Sequence, residues 1–352
     1  DVFDNIDAVV ELAETASDAG ADANAKSALL DNVLKVAKKA EELKAVVQAA
    51  ASAQGVAADE QARADNTKAL GSILSLADKA DRVDDLVKGS GIVLETTIVD
   101  GVEVVKAKEI AEEDVAARAA HNNKLSALLD VVKEVDAAAE AGSTDISADA
   151  VFTNIELVVG LAEDTGTDGI NEADRTLALN SVLKTAKNDN AAVVLQAARD
   201  VADKVKAAGG AAGADATHLA NVLKNAGTAD KLLAVADAAG DGADLTNLFV
   251  HAEHAADLAT VVEAAGETAK KEAQDAARLV GKSEQEIKAA GDAAGTGDLG
   301  KLLDNADQAA ELAEMTGKAQ ERAVTAGGSD GLGFTWSLLH RFQGYMFSEA
   351  VQ

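Results

Sequence analysis

The segment ANVLKNAGTADKLLAVADAAG, residues 220–240, shows the pattern on which most of the chain is built. Its apolar residues recur at spacings of three and four, namely Val222, Leu223, Ala226, Ala229, Leu232, Leu233 and Ala236. Such spacings place the side chains on one face of an α-helix, and we expect this stripe to continue over four turns. Gly240 follows at the position where a left-handed C-cap ends a helix. The segment therefore predicts one amphipathic helix with its own stop.

This unit recurs as an apolar pair, two alanines three residues apart and a closing glycine. Counted by the apolar pair, nine copies begin at Val2, Val33, Ile73, Leu128, Val151, Val182, Val222, Leu248 and Leu302. Gly20, Gly91 and Gly266 stand at the same distance from their apolar pairs as Gly240 does. A single amphipathic helix cannot bury its apolar face, so we expect neighbouring copies to pack on one another as a bundle or an α-solenoid.

The nine units belong to two related halves. Residues 2–38 align without a gap on residues 151–187, and 16 of these 37 positions are identical. We therefore expect a first half over residues 1–147, a second half over 148–326, and a glycine hinge with a C-terminal assembly segment over 327–352.

Composition supports a helical fold. The 352 residues are 48% hydrophobic, about a quarter of them are Ala, and Pro is absent. Ala is the best helix former and Pro the strongest helix breaker. The sequence predicts an all-α fold, with one exception at residues 92–110. There, β-branched residues surround Asp100-Gly101, which is typical of a β-hairpin with a two-residue turn.

Net charge and cysteine content exclude several functions. The formal net charge of -29 disfavours nucleic acid, because binding it requires Lys and Arg to neutralise phosphates. Cys is absent, which excludes disulfides and thiolate-bound metals. No run of 18 apolar residues exists, so we expect no transmembrane span. The chain begins at Asp1, from which we expect a secreted or cell-surface protein after signal-peptide removal; a cloning boundary is the alternative.

Two motifs carry ligand-binding residue types. His251 and His254 share a helix face with Asp257, and the alternatives are a divalent metal site or, as we favour, a solvated helix face. Residues 164–174, DTGTDGINEAD, resemble the calcium loops of EF-hand and dockerin type, although the loop is one residue short of the terminal acidic ligand. The calcium ligands would be Asp164, Asp168, Asn171 and Asp174. We favour a polar helix connection with capping side chains, and expect no cofactor.

The C-terminal segment GFTWSLLHRFQGYMF, residues 333–347, holds five of the eight aromatic residues. One helical stripe contains Trp336, Leu339, Phe342 and Met346, flanked by Tyr345 and Phe347. A helix with this many apolar side chains needs an apolar surface to cover it. It can cover its own subunit, insert into a neighbouring subunit or lie in a membrane interface, and we favour the neighbour because aromatic anchors concentrate binding energy.

No catalytic motif was found, and an enzyme is the least favoured class. We expect a structural protein that assembles with itself into a filament, sheath or layer. The predicted contacts are the C-terminal segment, the first unit at Val2, Phe3 and Ile6, and the hairpin edge at Val102 and Val104. The alternative is a monomeric helical binding module or surface antigen with a groove for a protein partner.

Overall fold

The structure is a computed structural model. It describes residues 5–54, 60–99, 102–111, 113–166, 169–208, 212–239, 243–292, 303 and 306–325. These residues form an all-α array with one small antiparallel hairpin, which confirms the predicted fold class.

The described residues divide into two compact units, one within 1–202 and 211–227 and the other within 203–210 and 228–352. The first unit contains α1 (Ile6–Ala19), α2 (Ala23–Lys35), α3 (Ala40–Ala53), α4 (Glu60–Leu76), α5 (Ala80–Ser90), β1 (Leu94–Val99), β2 (Val102–Ala107), α6 (Val115–Glu140), α7 (Ala148–Thr153), α8 (Ile155–Thr165), α9 (Glu172–Thr185), most of α10 (Ala191–Ala208) and α11 (Ala212–Lys224). The second unit contains α12 (Ala229–Ala239), α13 (Thr246–Val250), α14 (Ala255–Leu279), α15 (Glu284–Asp292) and α16 (Ala309–Thr325).

Packing in the first unit follows the order of the chain. Helix α1 packs on α4, α4 on α6, α6 on α8, and α8 on α9 and α11. Helix α3 packs on α5 and α6, and β2 lies against α3. In the second unit, α14 packs on α12, α15 and α16. The core is almost wholly aliphatic, with Leu12, Leu43, Ile73 and Leu128 among the large side chains that are fully buried.

The internal duplication is visible in where helices begin. Helices α1 and α8 begin at Ile6 and Ile155, α2 and α9 at Ala23 and Glu172, and α5 and α12 at Ala80 and Ala229. Each pair of starting residues lies 149 positions apart, which is the offset of the sequence alignment. The hairpin of the first half corresponds to α13 and the turn after it in the second half, as the sequence predicts.

The prediction that residues 222–236 form one continuous helix is wrong. Helix α11 ends at Lys224, a 3-10 turn covers Ala226–Thr228, and α12 begins at Ala229. Equivalent 3-10 turns cover Ala37–Lys39, Ala252–His254 and Ala306–Gln308, and in each case a helix begins at the next residue, which is again Ala. We call these four turns the alanine corners.

The alanine corners explain the paired alanines of the repeat. A 3-10 turn has three residues per turn, so residues three apart lie on the same side. In the corner at residues 226–229, Ala226 and Ala229 are both fully buried, and the same holds for Ala252 and Ala255. A small side chain at both positions lets the bend of the chain lie close against neighbouring helices. The pattern therefore encodes a bend rather than an uninterrupted stripe.

The glycines that were predicted to end helices differ in whether they do so and in their backbone conformation. Gly91 ends α5 in the left-handed conformation with φ 67°, as expected for a C-cap. Gly20 ends α1 with φ −71° and ψ 123°, an extended conformation. The stop predicted at Gly266 is wrong, because α14 continues through it to Leu279. A single Gly costs a helix only about 1 kcal/mol, which the surrounding Ala, Glu and Lys residues offset. Gly240 lies outside the described residues.

One ionic cluster joins the two sequence halves inside the first unit. The guanidinium of Arg82 in α5 donates to Asp78 and to Asp149 in α7, each over 2.6 Å, and lies 5.6 Å from the ring centroid of Phe152. Hydrogen bonds from Arg82 and then Lys79 lower the pKa of Asp149. The first compact unit therefore contains the end of one half and the start of the next. The boundaries at residues 147 and 326, inferred from the duplication, stay predictions.

Candidate functional site

The polar residues that are buried as whole residues in the described part of the chain all carry hydroxyls. Ser72, Ser90, Thr165, Thr185 and Thr316 are buried. Each hydroxyl donates to a backbone carbonyl three or four residues earlier in its own helix. Each of these five hydroxyls thus donates to a backbone carbonyl and not to a side-chain base, as an activated nucleophile would.

The described residues also line two open grooves. One, of about 290 Å³, lies between α4 and α6 and includes Lys68, Lys133 and Glu134. The other, of about 580 Å³, lies where α6 meets α8 and α9, and includes Asn123, Glu163 and Arg175. Both carry charged side chains, so they are wet surface features rather than enclosed apolar pockets.

The calcium-like loop contains capping interactions. Asn171 is the N-cap of α9, where its side-chain oxygen accepts from the backbone N–H of Asp174 over 3.0 Å. The carboxylate of Asp174 pairs with Lys224 at 2.6 Å, and hydrogen bonds from Lys224 and then Asn171 lower its pKa. Asp164 lies in the last turn of α8, whereas Asp168 lies outside the described residues. Asn171 thus acts as a cap, and calcium binding stays a prediction.

The hairpin has an orientation that the sequence did not reveal. Its register pairs Leu94 with Ala107 and Val99 with Val102. The backbone N–H of Lys108 donates to the carbonyl of Val93 over 2.7 Å, so residues 93 and 108 form a hydrogen-bonded pair. Pairs alternate along an antiparallel ladder, and the backbone groups of Leu94, Thr96 and Ile98 therefore point away from β2. We call this row of groups the outer edge of β1.

The outer edge of β1 is open in the described part of the chain. No hydrogen bond from another described element reaches the backbone of Leu94, Thr96 or Ile98. The edge also carries apolar surface, because Ile98 is 74% exposed and Val93 is 62% exposed. The other strand, β2, lies against α3. The candidate contact strand is therefore β1, which sequence reasoning missed because the packing of the hairpin on α3 leaves no local signal.

The remaining predicted contact residues stay predictions. Val102 and Val104 lie in β2, but their side chains are outside the described part. Ile6 begins α1 and is 46% exposed, and Val10, one turn later, is 51% exposed. Val2, Phe3, and the C-terminal Trp336, Leu339, Phe342, Tyr345, Met346 and Phe347 lie outside the described residues.

The alanine corner between α13 and α14 brings three ligand-type side chains together. His251, Glu253 and His254 each offer one ligand atom, and these atoms lie within 4.8 Å of one another. His251 Nδ1 is 3.9 Å from Glu253 Oε1, and the two imidazole centroids are 6.2 Å apart. The sequence pattern predicted both histidines, with Asp257 as the third group of the cluster. Asp257 would share a face with the histidines in a continuous helix, but the chain bends at His251, which has φ −108° and ψ 39°.

Comparisons with known proteins identify no relative. No family model matches the chain, and no curated protein or solved structure matches it. In the described residues, none of the helices has the length and apolar character needed to cross a membrane.

Proposed function

We propose that the protein is a non-enzymatic structural protein that associates with further copies of itself through the outer edge of β1. The observation that carries the proposal is the open row of backbone groups at Leu94, Thr96 and Ile98, on an otherwise helical body. Open edges with apolar side chains add strands from other chains. A two-stranded hairpin is marginal in water, so further strands would also stabilise it.

A second copy of β1 fits this edge without placing like charges opposite each other. In antiparallel pairing centred on Thr96, Leu94 faces Ile98 of the second copy and Glu95 faces Thr97. The groups that point outward then meet outward-pointing groups, as a ladder requires. A register centred on Glu95 would instead place two carboxylates directly opposite, which is destabilising. The edge is thus self-complementary in the Thr96-centred register.

A two-fold contact of this kind closes at a dimer. Growth into a filament, sheath or layer therefore needs a second, different contact. We propose that the aromatic segment 333–347 supplies it by docking on a neighbouring copy, with the exposed Ile6 and Val10 of α1 as part of the receiving surface.

We propose that this assembly forms outside the cell or at its surface, because a strongly acidic composition is common in secreted and salt-exposed proteins. Each chain has a formal net charge of -29, so copies repel one another at low ionic strength. Salt at about 0.15 M shortens the screening length to roughly 8 Å, which permits contact between acidic subunits.

The grooves beside α6 support the alternative, a binding module that acts as a monomer and presents a polar surface to a protein partner.

Sedimentation velocity of the Ile98→Lys variant tests the proposal. Ile98 is 74% exposed, so Lys at this position removes no buried side chain from the subunit. The same Lys places a charge on the edge that a second copy would cover. We expect the wild type to associate as its concentration rises, and the variant to remain monomeric at the same concentrations.

The matched control is Val193→Lys, which changes an exposed β-branched residue of the first unit by the same charge. It should associate as the wild type does. Wild-type protein that stays monomeric in 0.15 M salt would refute self-association and favour the binding module. Equal association of the wild type and Ile98→Lys would refute the β1 edge as the contact.

A further inference from the structure

We infer that His251, Glu253 and His254 form a binding site for a divalent transition metal, of which Zn²⁺ is the best fit. This inference is independent of the proposed assembly, because the site lies in the second compact unit and the hairpin in the first. It replaces the solvated helix face that the sequence favoured for the two histidines.

The donor set points to zinc rather than calcium. Two imidazole nitrogens and one carboxylate oxygen are a common set for Zn²⁺, whereas Ca²⁺ requires six or more oxygen donors. Three protein ligands complete three positions of a tetrahedral ion and leave the fourth for water or another small donor.

The distances are compatible with closure around an ion. Bond lengths of about 2.0–2.1 Å place tetrahedral ligand atoms roughly 3.3 Å apart. The three ligand atoms lie within 4.8 Å of one another, and the His251–Glu253 pair is already at 3.9 Å. The side chains have room to turn toward an ion, since Glu253 is exposed and both histidines are half-buried.

The backbone that carries these ligands is anchored on both sides. Phe249 precedes the site and is 1% exposed, and Ala252 and Ala255 are fully buried. The alanine corner therefore fixes the three Cα positions while the side chains remain free to turn outward. A ligand set on a rigid backbone loses little entropy when the ion binds.

The residue types at this corner are distinctive among the four alanine corners. The other three carry Lys38 and Lys39, Gly227 and Thr228, or Asp307 and Gln308 between their alanines. The position of His251 holds Val36, Asn225 or Asn305 in the other three corners. Because the bend forms with all of these residues, packing alone does not require histidine at position 251 or 254. The net charge of -29 would in addition concentrate cations near the surface.

Isothermal titration of the full chain with ZnCl₂ tests this site. Excess Mg²⁺ in the buffer occupies carboxylate clusters that bind hard cations, and leaves nitrogen-containing sites for zinc. We expect saturable zinc binding that weakens at least about tenfold in His251→Ala, in His254→Ala and in Glu253→Gln. Asp257→Asn should bind zinc as the wild type does, because Asp257 is not part of the ligand set.

A second measurement uses Co²⁺ in place of zinc. A low-coordinate Co²⁺ site with nitrogen ligands gives visible absorption, which should appear in the wild type and disappear in His251→Ala. Thermal unfolding with a chelator shows whether each variant is folded, and His251→Gln takes the place of His251→Ala if the latter unfolds. Zinc affinity that is unchanged in a folded His251→Ala, His254→Ala double variant would overturn the inference, as would the lack of saturable binding in the wild type.

Discussion

Burial disfavours the charged form of Glu41, which lies near the start of α3. Its Oε2 atom is buried, with no hydrogen-bond partner. Burial is the largest cause that raises the pKa of this carboxyl, and the nearby Glu11, Asp7 and Glu42 raise it further against the opposing charge of Lys44. The charged form of Glu41 is therefore less favourable in the folded protein than in the unfolded chain.

Replacing Glu41 with Gln should stabilise the protein at pH 7. Because the folded-state pKa is raised, the folded protein binds more protons between the unfolded and folded values. The free energy of unfolding of the wild type therefore falls as pH rises through that window. We expect Glu41→Gln to be more stable at pH 7 and the difference to vanish below about pH 4, where both states are protonated.

Urea unfolding at pH 3.5, 5 and 7 measures this effect. Glu14→Gln, on the exposed side of α1, is the control and should leave the pH dependence unchanged. A Glu41→Gln variant no more stable than the wild type at pH 7 would show that burial does not disfavour the charge at this position.

The alanine corners are the bends after which a new helix of the array begins. Ala40 follows the first corner, begins α3 and is fully buried. Interiors are close-packed, so extra methylene groups at this position force neighbouring helices apart.

We expect Ala40→Leu to reduce the free energy of unfolding by about 1–3 kcal/mol. Ala51→Leu adds the same atoms to the exposed face of the same helix and should change it by less than about 0.5 kcal/mol. Thermal or urea unfolding of both variants provides the measurement. Equal effects of the two substitutions would mean that the corner has room for a large side chain and that its alanines are not required by packing.

Periodicity predicted the all-α class and the hairpin because both are determined by local sequence. The 149-residue offset of the sequence alignment also separates the starts of α1 and α8, of α2 and α9, and of α5 and α12. The bend at Ala226 escaped prediction because a spacing of three fits both a continuous helix and a 3-10 turn. The open strand could not be inferred either, since the position of β2 against α3 is a tertiary contact. Glu253 was not predicted as the third ligand, because a continuous helix would not place it on the same face as the two histidines.

At the scale of the whole molecule, repulsion between acidic copies opposes their assembly through the outer edge of β1. Its net charge of -29 favours solubility and separation of copies, whereas the outer edge of β1 favours addition of strands. In our account the edge contact prevails once salt screens the repulsion. A closed two-fold contact then limits the first stage to a dimer, and larger assemblies depend on the C-terminal segment.

Hydrogen exchange at the hairpin, recorded at low and high protein concentration in the same salt, tests this account most directly. The amides of Leu94, Thr96 and Ile98 should exchange more slowly at high concentration, because they become paired with a second copy. The amide of Glu95, which points toward β2, serves as the internal control and should be protected at both concentrations. Exchange at Leu94, Thr96 and Ile98 that is equally fast at both concentrations, in a sample that sedimentation shows to be associated, would contradict the assembly contact proposed for β1.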